Sequence, residues 1–331
     1  MYLPRHVKLE TRKQTKVLPV ILLIIFITAV FFSIYKRKQI MLFFKGSSAE
    51  KHTKAENRLI ESVLQGEKNK DYLQEYISNV QALLHTEPVN SRGYFAQARV
   101  HYLEALFSGF ELKTIHLIEK LSRTGTVPDK ILDDFSVHLE PMYRQALRAR
   151  AFSAEFGDSN SNLILVLLYE ALQNRKNFSL IAGELKTVQY ERVSPELRKN
   201  YIWLSLLSSV KSADFDFLNQ LLKMNKDLQG KSNLEITERE ESYLQGLTFF
   251  YKKDFIRSLE LIRKVQKEQD RLGIEAGKTE AEIFFLQNLH EKAIVILENL
   301  FEVSGKQDKD IQKRLQRIVE SKSGLKSKYL K

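Results

Sequence analysis

The chain has 331 residues, 43% of them hydrophobic, which is enough for a sizeable core and argues against compositional disorder. Cysteine is absent, so disulfides, thiolate metal sites and thiol nucleophiles are excluded. The net charge of +11 is uneven: residues 1–45 carry +8 and residues 306–331 carry +6, leaving −3 for residues 46–305, so a polyanion groove through the folded body is disfavoured and no nucleic-acid partner is expected.

Residues 1–16 form a short basic tail with Arg5, Lys8, Arg12, Lys13 and Lys16. The nineteen residues 17–35 that follow hold no charge, and as a helix they would extend about 28 Å, close to a hydrocarbon core of about 30 Å. The spacing predicts a transmembrane helix, through which the chain would contact the membrane. A cleaved signal peptide fits less well, because its apolar region is shorter and leads straight to a small-residue cleavage site, whereas Lys36, Arg37 and Lys38 stand here. Charges on the two flanks nearly balance, and a short, strongly basic tail is hard to translocate. The expected topology is a cytoplasmic tail, a single-pass anchor in the inner (cytoplasmic) membrane of a bacterium, an interfacial linker at 36–50 and a periplasmic main domain.

Residues 51–305 read as helix, short break, helix, repeated. Breaks fall near Gly66 to Lys70, Glu87 to Asn90, Gly109, Thr124 to Pro128, Gly157 to Asn160, Asn174 to Asn177, Arg192 to Pro195, Lys211 to Asp214, Gly230 to Asn233, Lys252 to Asp254 and Asn288 to His290. Apolar residues recur three or four apart between them, and β-branched runs at period two are hard to find. Only six prolines occur, none in the last 136 residues. The fold class this predicts is all-α.

The stretch "SYLQGLTFFYKKDFIRSLELIRKV" orders a small residue, aromatics, a charged break and a second apolar series. With Gly246 at the small eighth position, Phe249 falls at eleven, Ser258 at twenty, and Ile262 and Val265 at twenty-four and twenty-seven. "AEIFFLQNLHEKAIVILENL" repeats this with Ala281, Phe284, Ala293, Leu297 and Leu300, and Ser258 and Ala293 stand 35 apart. A third match begins at "PVNSRGYFAQARVHY". These residues resemble the tetratricopeptide repeat, a helical hairpin of 34 residues. The resemblance thins across 110–240, which reads either as a degenerate stack or as an ordinary helical domain. In full, the expectation is one N-terminal transmembrane helix followed by an α-solenoid of such hairpins over 51–305, closed by a capping helix and basic tail at 306–331.

The resemblance implies a concave wall of first helices that grips peptides. Its contact positions fall here on Arg92, Phe95, Arg99 and Tyr102, on Tyr243, Leu247, Phe250 and Tyr251, and on Lys278, Glu282, Phe285 and Leu286. It also implies a non-enzymatic scaffold with protein partners, open to homo- or hetero-oligomers, and without cofactor or metal. The layout is similar to single-pass periplasmic repeat proteins, among them those that help secreted chains leave the translocon and those that build the collar around spirochaete flagellar motors; no residue motif chooses between them. One alternative is a cytoplasm-facing adaptor. The other is a membrane enzyme of glycosyltransferase type, in which Asp214 and Asp216 of "DFD" would hold a divalent metal.

Overall fold

The computed structural model describes residues 52–122, 130–174, 177–228 and 234–330. Contacts divide the chain into Met1–Glu56, of which residues 52–56 are described, and a compact unit Asn57–Lys331. Among the described residues there are fourteen α-helices and no strand. They are α1 (52–64), α2 (Lys70–Thr86), α3 (Ser91–Phe107), α4 (Thr114–Ser122), α5 (Lys130–Phe152), α6 (Ser159–Leu172), α7 (Phe178–Leu185), α8 (Arg198–Lys211), α9 (Phe215–Asp227), α10 (Glu238–Tyr251), α11 (Phe255–Val265), α12 (Arg271–Leu286), α13 (His290–Val303) and α14 (Lys309–Ser321). Two 3-10 turns, Tyr190–Arg192 and Pro195–Leu197, precede α8.

One packing rule runs through most of the unit. α3 pairs with α5, α6 with α7, α8 with α9, α10 with α11 and α12 with α13. The second helix of each pair leans on the first helix of the next, and the first helices α3, α6, α8, α10 and α12 touch in succession. At the front, Leu59 of α1 shares a cluster with Leu73, Tyr76 and Val80 of α2 and with Ala96, Val100 and Leu103 of α3. At the back, α14 buries Ile311, Leu315 and Ile318 against α13 and leaves its other face polar. The result is a helical-repeat-like stack compatible with an α-solenoid, in which no pair buries its apolar face alone.

The turns repeat even where the sequence does not. First helices end on a residue in the left-handed region: Gly66, Gly109, Asn174, Ala213, Lys253 and Asn288. After five of them the next N–H reaches back to a carbonyl of the last turn, as in Phe110 to Ala105, Asp214 to Ser209, Asp254 to Phe249 and Leu289 to Phe284. This closure satisfies carbonyls that a helix end leaves open. Asp214 and Asp254 then cap the second helix by accepting from Phe217 N and Arg257 N. The middle of the chain, where repeat spacing drifts, thus keeps the hairpin rule through α6/α7 and α8/α9.

Small residues stand where paired helices cross. Ser258 donates its hydroxyl to the Gly246 carbonyl at 2.8 Å, and a Cβ on Gly246 would sit 3.1 Å from Ile262 Cδ1. Ala281 and Ala293 are buried at the corresponding contact of α12 with α13.

The membrane placement expected from the sequence is corrected. Among the described residues no helix is long and apolar enough to cross a membrane, so the single-pass, inner-membrane assignment is overturned. The longest helix, α5, carries Asp133, Asp134, Glu140, Arg144 and Arg148 along its 23 residues. The most apolar long stretch, in α6, belongs to a helix of 14 residues, about 21 Å at 1.5 Å per residue, and ends inside the stack. The segment 17–35 lies outside the described residues, as do the tail 1–16, the linker 36–50 and the breaks at 124–128 and 230–233.

Candidate functional site

One helix departs from the packing rule. α4 is inserted in the turn between the partners α3 and α5, and its main packing partners are the first helices α8 and α12. Its main contacts are therefore with the row of first helices of the stack. In a hairpin stack this row is the inner wall, and insertions in such stacks commonly map to one face.

The seat of α4 is polar at both ends and apolar between. Before the helix, Lys199 donates to Glu111 at 2.9 Å, the Trp203 indole donates to the Lys113 carbonyl at 3.2 Å, and the Thr114 hydroxyl donates to the Glu235 carbonyl at 2.6 Å. The hydrogen bond from Lys199 outweighs the cost of burial and, with a lesser contribution from Lys113, holds the Glu111 carboxyl below its ordinary range. Along the helix, Leu117, Ile118 and Leu121 are at most 2% exposed, and their burial removes from water a stripe worth about 1.5–3 kcal/mol per side chain. At the far end, Lys211 and Tyr251 both donate to the Leu121 carbonyl, each at 3.1 Å. Lys120 donates to the Leu172 carbonyl of α6 at 2.7 Å, and Glu119 pairs with Arg271 of α12. Since α4 meets the start of α8 with its own start and the end of α8 with its own end, the two helices run in the same sense.

Covering the wall has a visible effect on α8. "NYIWLSLLSSV", Asn200 to Val210, is buried on every side, and its one polar stripe is made of small serines, Ser205, Ser208 and Ser209, all fully buried. Lys211, at its end, is pushed down to about 8 by burial, with the Lys120 charge adding to the effect.

Of the residues to which the resemblance gave a contact role, Phe95, Arg99, Tyr102, Tyr243, Leu247 and Lys278 are buried. Arg99 donates through Nε to Glu196 Oε1 at 2.6 Å, and Tyr102 accepts from Asn200 Nδ2 at 2.7 Å, so both fasten α3 to the approach to α8. Burial raises the Tyr102 hydroxyl well above its ordinary value. The Tyr243 hydroxyl reaches the Glu275 carbonyl, joining α10 to α12, and burial raises it likewise. Lys278 meets Glu275 at 3.0 Å and Asp308 at 2.7 Å; burial opposes its charge, but these carboxylates outweigh it and hold the ammonium above the ordinary range. Glu282 pairs with Arg314 and Arg317 of α14, and the Arg317 guanidinium lies over the Phe285 ring at 4.7 Å. Phe250 and Tyr251 stack edge to face at 5.3 Å and are half-buried, while Arg92 is exposed and Leu286 half exposed. Among them Tyr251 bonds α4, donating its hydroxyl to the Leu121 carbonyl.

The "DFD" carboxylates do not face one another across a pocket. Asp214 caps α9 through Oδ1 and pairs with Lys186 through Oδ2, and Asp216 is exposed on the first turn. The fold brings His101 and His138 to a shared carboxylate, with Glu104 Oε2 2.9 Å and 3.7 Å from their Nδ1 atoms. Among the described residues no group of three or more His, Asp or Glu could hold a metal ion.

Sequence reasoning missed α4 as a wall element. The available signal was a pair of facts: "ELKTIHLIEKLS" is amphipathic, and the interval from Gly109 to Asn174 is far longer than that from Lys253 to Asn288. Compared with known proteins, the chain matches no family model, no curated protein and no solved structure.

Proposed function

We propose that the chain is a non-enzymatic scaffold of the tetratricopeptide-repeat kind, which holds another protein against its row of first helices. The observation that carries this reading is the seating of α4: the wall formed by α8 and α12, with the ends of α6 and α10, takes up a helix of nine residues through a buried apolar stripe and side-chain bonds at both ends. A surface that fits one helix in this way has the apolar centre and polar rim of a helix-in-groove interface. Gly246, Ser258, Ala281 and Ala293 at the hairpin crossings support the family reading, because a closely crossed hairpin needs small side chains there.

Affinity capture with the full chain, followed by mass spectrometry, tests the proposal. The control is a chain carrying Phe250→Ser and Leu286→Ser, two apolar residues near the ends of α10 and α12 that retain exposure. A protein recovered with the native chain and lost with the folded variant supports the reading. Identical recoveries from both would overturn it.

A further inference from the structure

We infer that α4 occupies, within the chain, the place of a partner's helix, and that the wall beneath it is a receptor for an amphipathic helix of defined chemistry. This inference rests on the scaffold reading and specifies its ligand.

The donors of the wall define what it recognises. Lys199, Trp203, Lys211, Tyr251 and Arg271 all present N–H or O–H groups toward α4 and the residues that lead into it, and these offer acceptors: the Glu111 carboxylate and Lys113 carbonyl before the helix, and the Glu119 carboxylate and Leu121 carbonyl within it. Where α4 ends, the wall presents the Lys211 ammonium beside the Tyr251 hydroxyl, both donating to the Leu121 carbonyl. A helix C-terminus and acidic side chains suit this end. Between the ends the wall takes apolar side chains at positions one and four apart, as Ile118 and Leu121 stand relative to Leu117. The matching ligand is a helix of about three turns with a Leu/Ile stripe at that spacing, an acidic residue on each flank and a C-terminus that meets Lys211 and Tyr251.

The insertion itself points the same way. α4 interrupts a hairpin turn whose closure at Gly109 is complete without it, because Phe110 N already reaches back to Ala105 O. The pair α3/α5 keeps its mutual contact across the insertion. An occupied site binds an outside helix with an affinity lowered by the fraction of time that it stands open, so the resident helix sets the threshold that a partner must exceed.

The absence of cysteine makes a direct test possible. A chain with Glu119→Cys and Arg271→Cys can be cross-linked across the α4–α12 contact by a short dithiol-reactive linker, or left unlinked. The probe is a labelled peptide of residues 110–122, read by fluorescence anisotropy, with a Leu117→Asp, Leu121→Asp peptide as control. The unlinked chain is expected to bind the native-sequence peptide more tightly than the linked chain does, although its Arg271→Cys change takes the partner of Glu119 from the probe as well as from α4. The linked chain is expected to bind it no better than the control peptide. Leu121→Ala, which loosens the resident helix and leaves Arg271 in the wall, is expected to bind the native-sequence peptide about tenfold more tightly than the unaltered chain does, with folding checked by circular dichroism. Equal binding by linked and unlinked chains, or no binding by a folded opened chain, overturns the inference. Either result leaves the scaffold reading standing if partner capture still depends on Phe250 and Leu286, whereas peptide exchange without any such capture upholds the role of α4 and sinks the scaffold.

Discussion

Trp203 on α8 gives its indole N–H to the carbonyl of Lys113, a residue ninety positions earlier, at 3.2 Å. It is the only tryptophan in the chain and is fully buried. The bond links a first helix of the stack to the strap that leads into α4, so it measures the integrity of the wall and its occupant together. Trp203→Phe should cost about 1–3 kcal/mol, the sum of a lost bond that strands a buried carbonyl and a partly unfilled indole site. Urea unfolding followed by far-UV circular dichroism checks the figure. In the native chain, Trp203 emission should be blue-shifted and should move to the red on Leu121→Ala; an unchanged spectrum in a folded Leu121→Ala chain would show that α4 and the indole are uncoupled.

The buried pair of Arg99 and Glu196 should be far more sensitive than exposed pairs. Their side chains are 3% and 0% exposed at a separation of 2.6 Å. Removing one partner strands the other in a medium that solvates it poorly, and Arg99→Ala should cost about 3–5 kcal/mol. Arg257 sits 59% exposed beside Asp254, so Arg257→Ala should leave the denaturation midpoint almost unmoved. Comparable losses at the two sites would mean that the burial of Arg99 is not what fixes its contribution.

Three glycines give a ranked test of helix crossings. A Cβ at Gly273 would collide with the main-chain carbonyl oxygen of Glu268, which no side-chain rotation relieves. At Gly277 it would stand 2.6 Å from Gln266 Nε2 and 2.8 Å from Leu300 Cδ1, both ends of side chains, and at Gly246 it would stand 3.1 Å from Ile262 Cδ1. Overpacking costs about 1–3 kcal/mol, against which a helical Gly→Ala change recovers up to about 1 kcal/mol of propensity. Thermal melts should order the losses Gly273→Ala, then Gly277→Ala, then Gly246→Ala, the last close to neutral. A reversed order would place the tightest crossing elsewhere.

Much of this architecture is legible in the sequence because it is local. The breaks at Lys211 to Asp214, Lys252 to Asp254 and Asn288 to His290 coincide with turns closed by Ala213, Lys253 and Asn288. Gly246 and Ser258 lie twelve residues apart and meet within one hairpin. The break at Gln266 to Asp270 was missed, for charged residues there resemble a solvated helix face. Non-local relations were illegible. Nothing near Arg99 announces Glu196, and nothing near Leu121 announces Lys211 and Tyr251, so side chains that the resemblance assigns to an open wall, such as Arg99, turn out to be buried. An insertion that folds back onto its own stack obeys the same amphipathic pattern as any repeat helix, and only its partners distinguish it.

Lys211 predicts a dependence of stability on pH. Its ammonium is pushed from an ordinary 10.5 to about 8 by burial and by the neighbouring Lys120 charge. Below pH 8 the group is protonated in both folded and unfolded chains, and its contribution is flat and unfavourable. Between about 8 and 10.5 the unfolded chain holds the proton and the folded chain does not, so stability rises with pH by up to roughly 3 kcal/mol through this window and levels off above it. Tyr251 works in the opposite sense above pH 10, since burial keeps its proton on in the folded state beyond the ordinary value. The informative quantity is therefore the difference between native and Lys211→Met chains from pH 7.5 to 9.5, taken from urea midpoints at fixed salt. The native chain should gain stability across that range relative to the variant. Parallel curves would mean that Lys211 titrates as an ordinary surface lysine and that the end of α4 lies open to water.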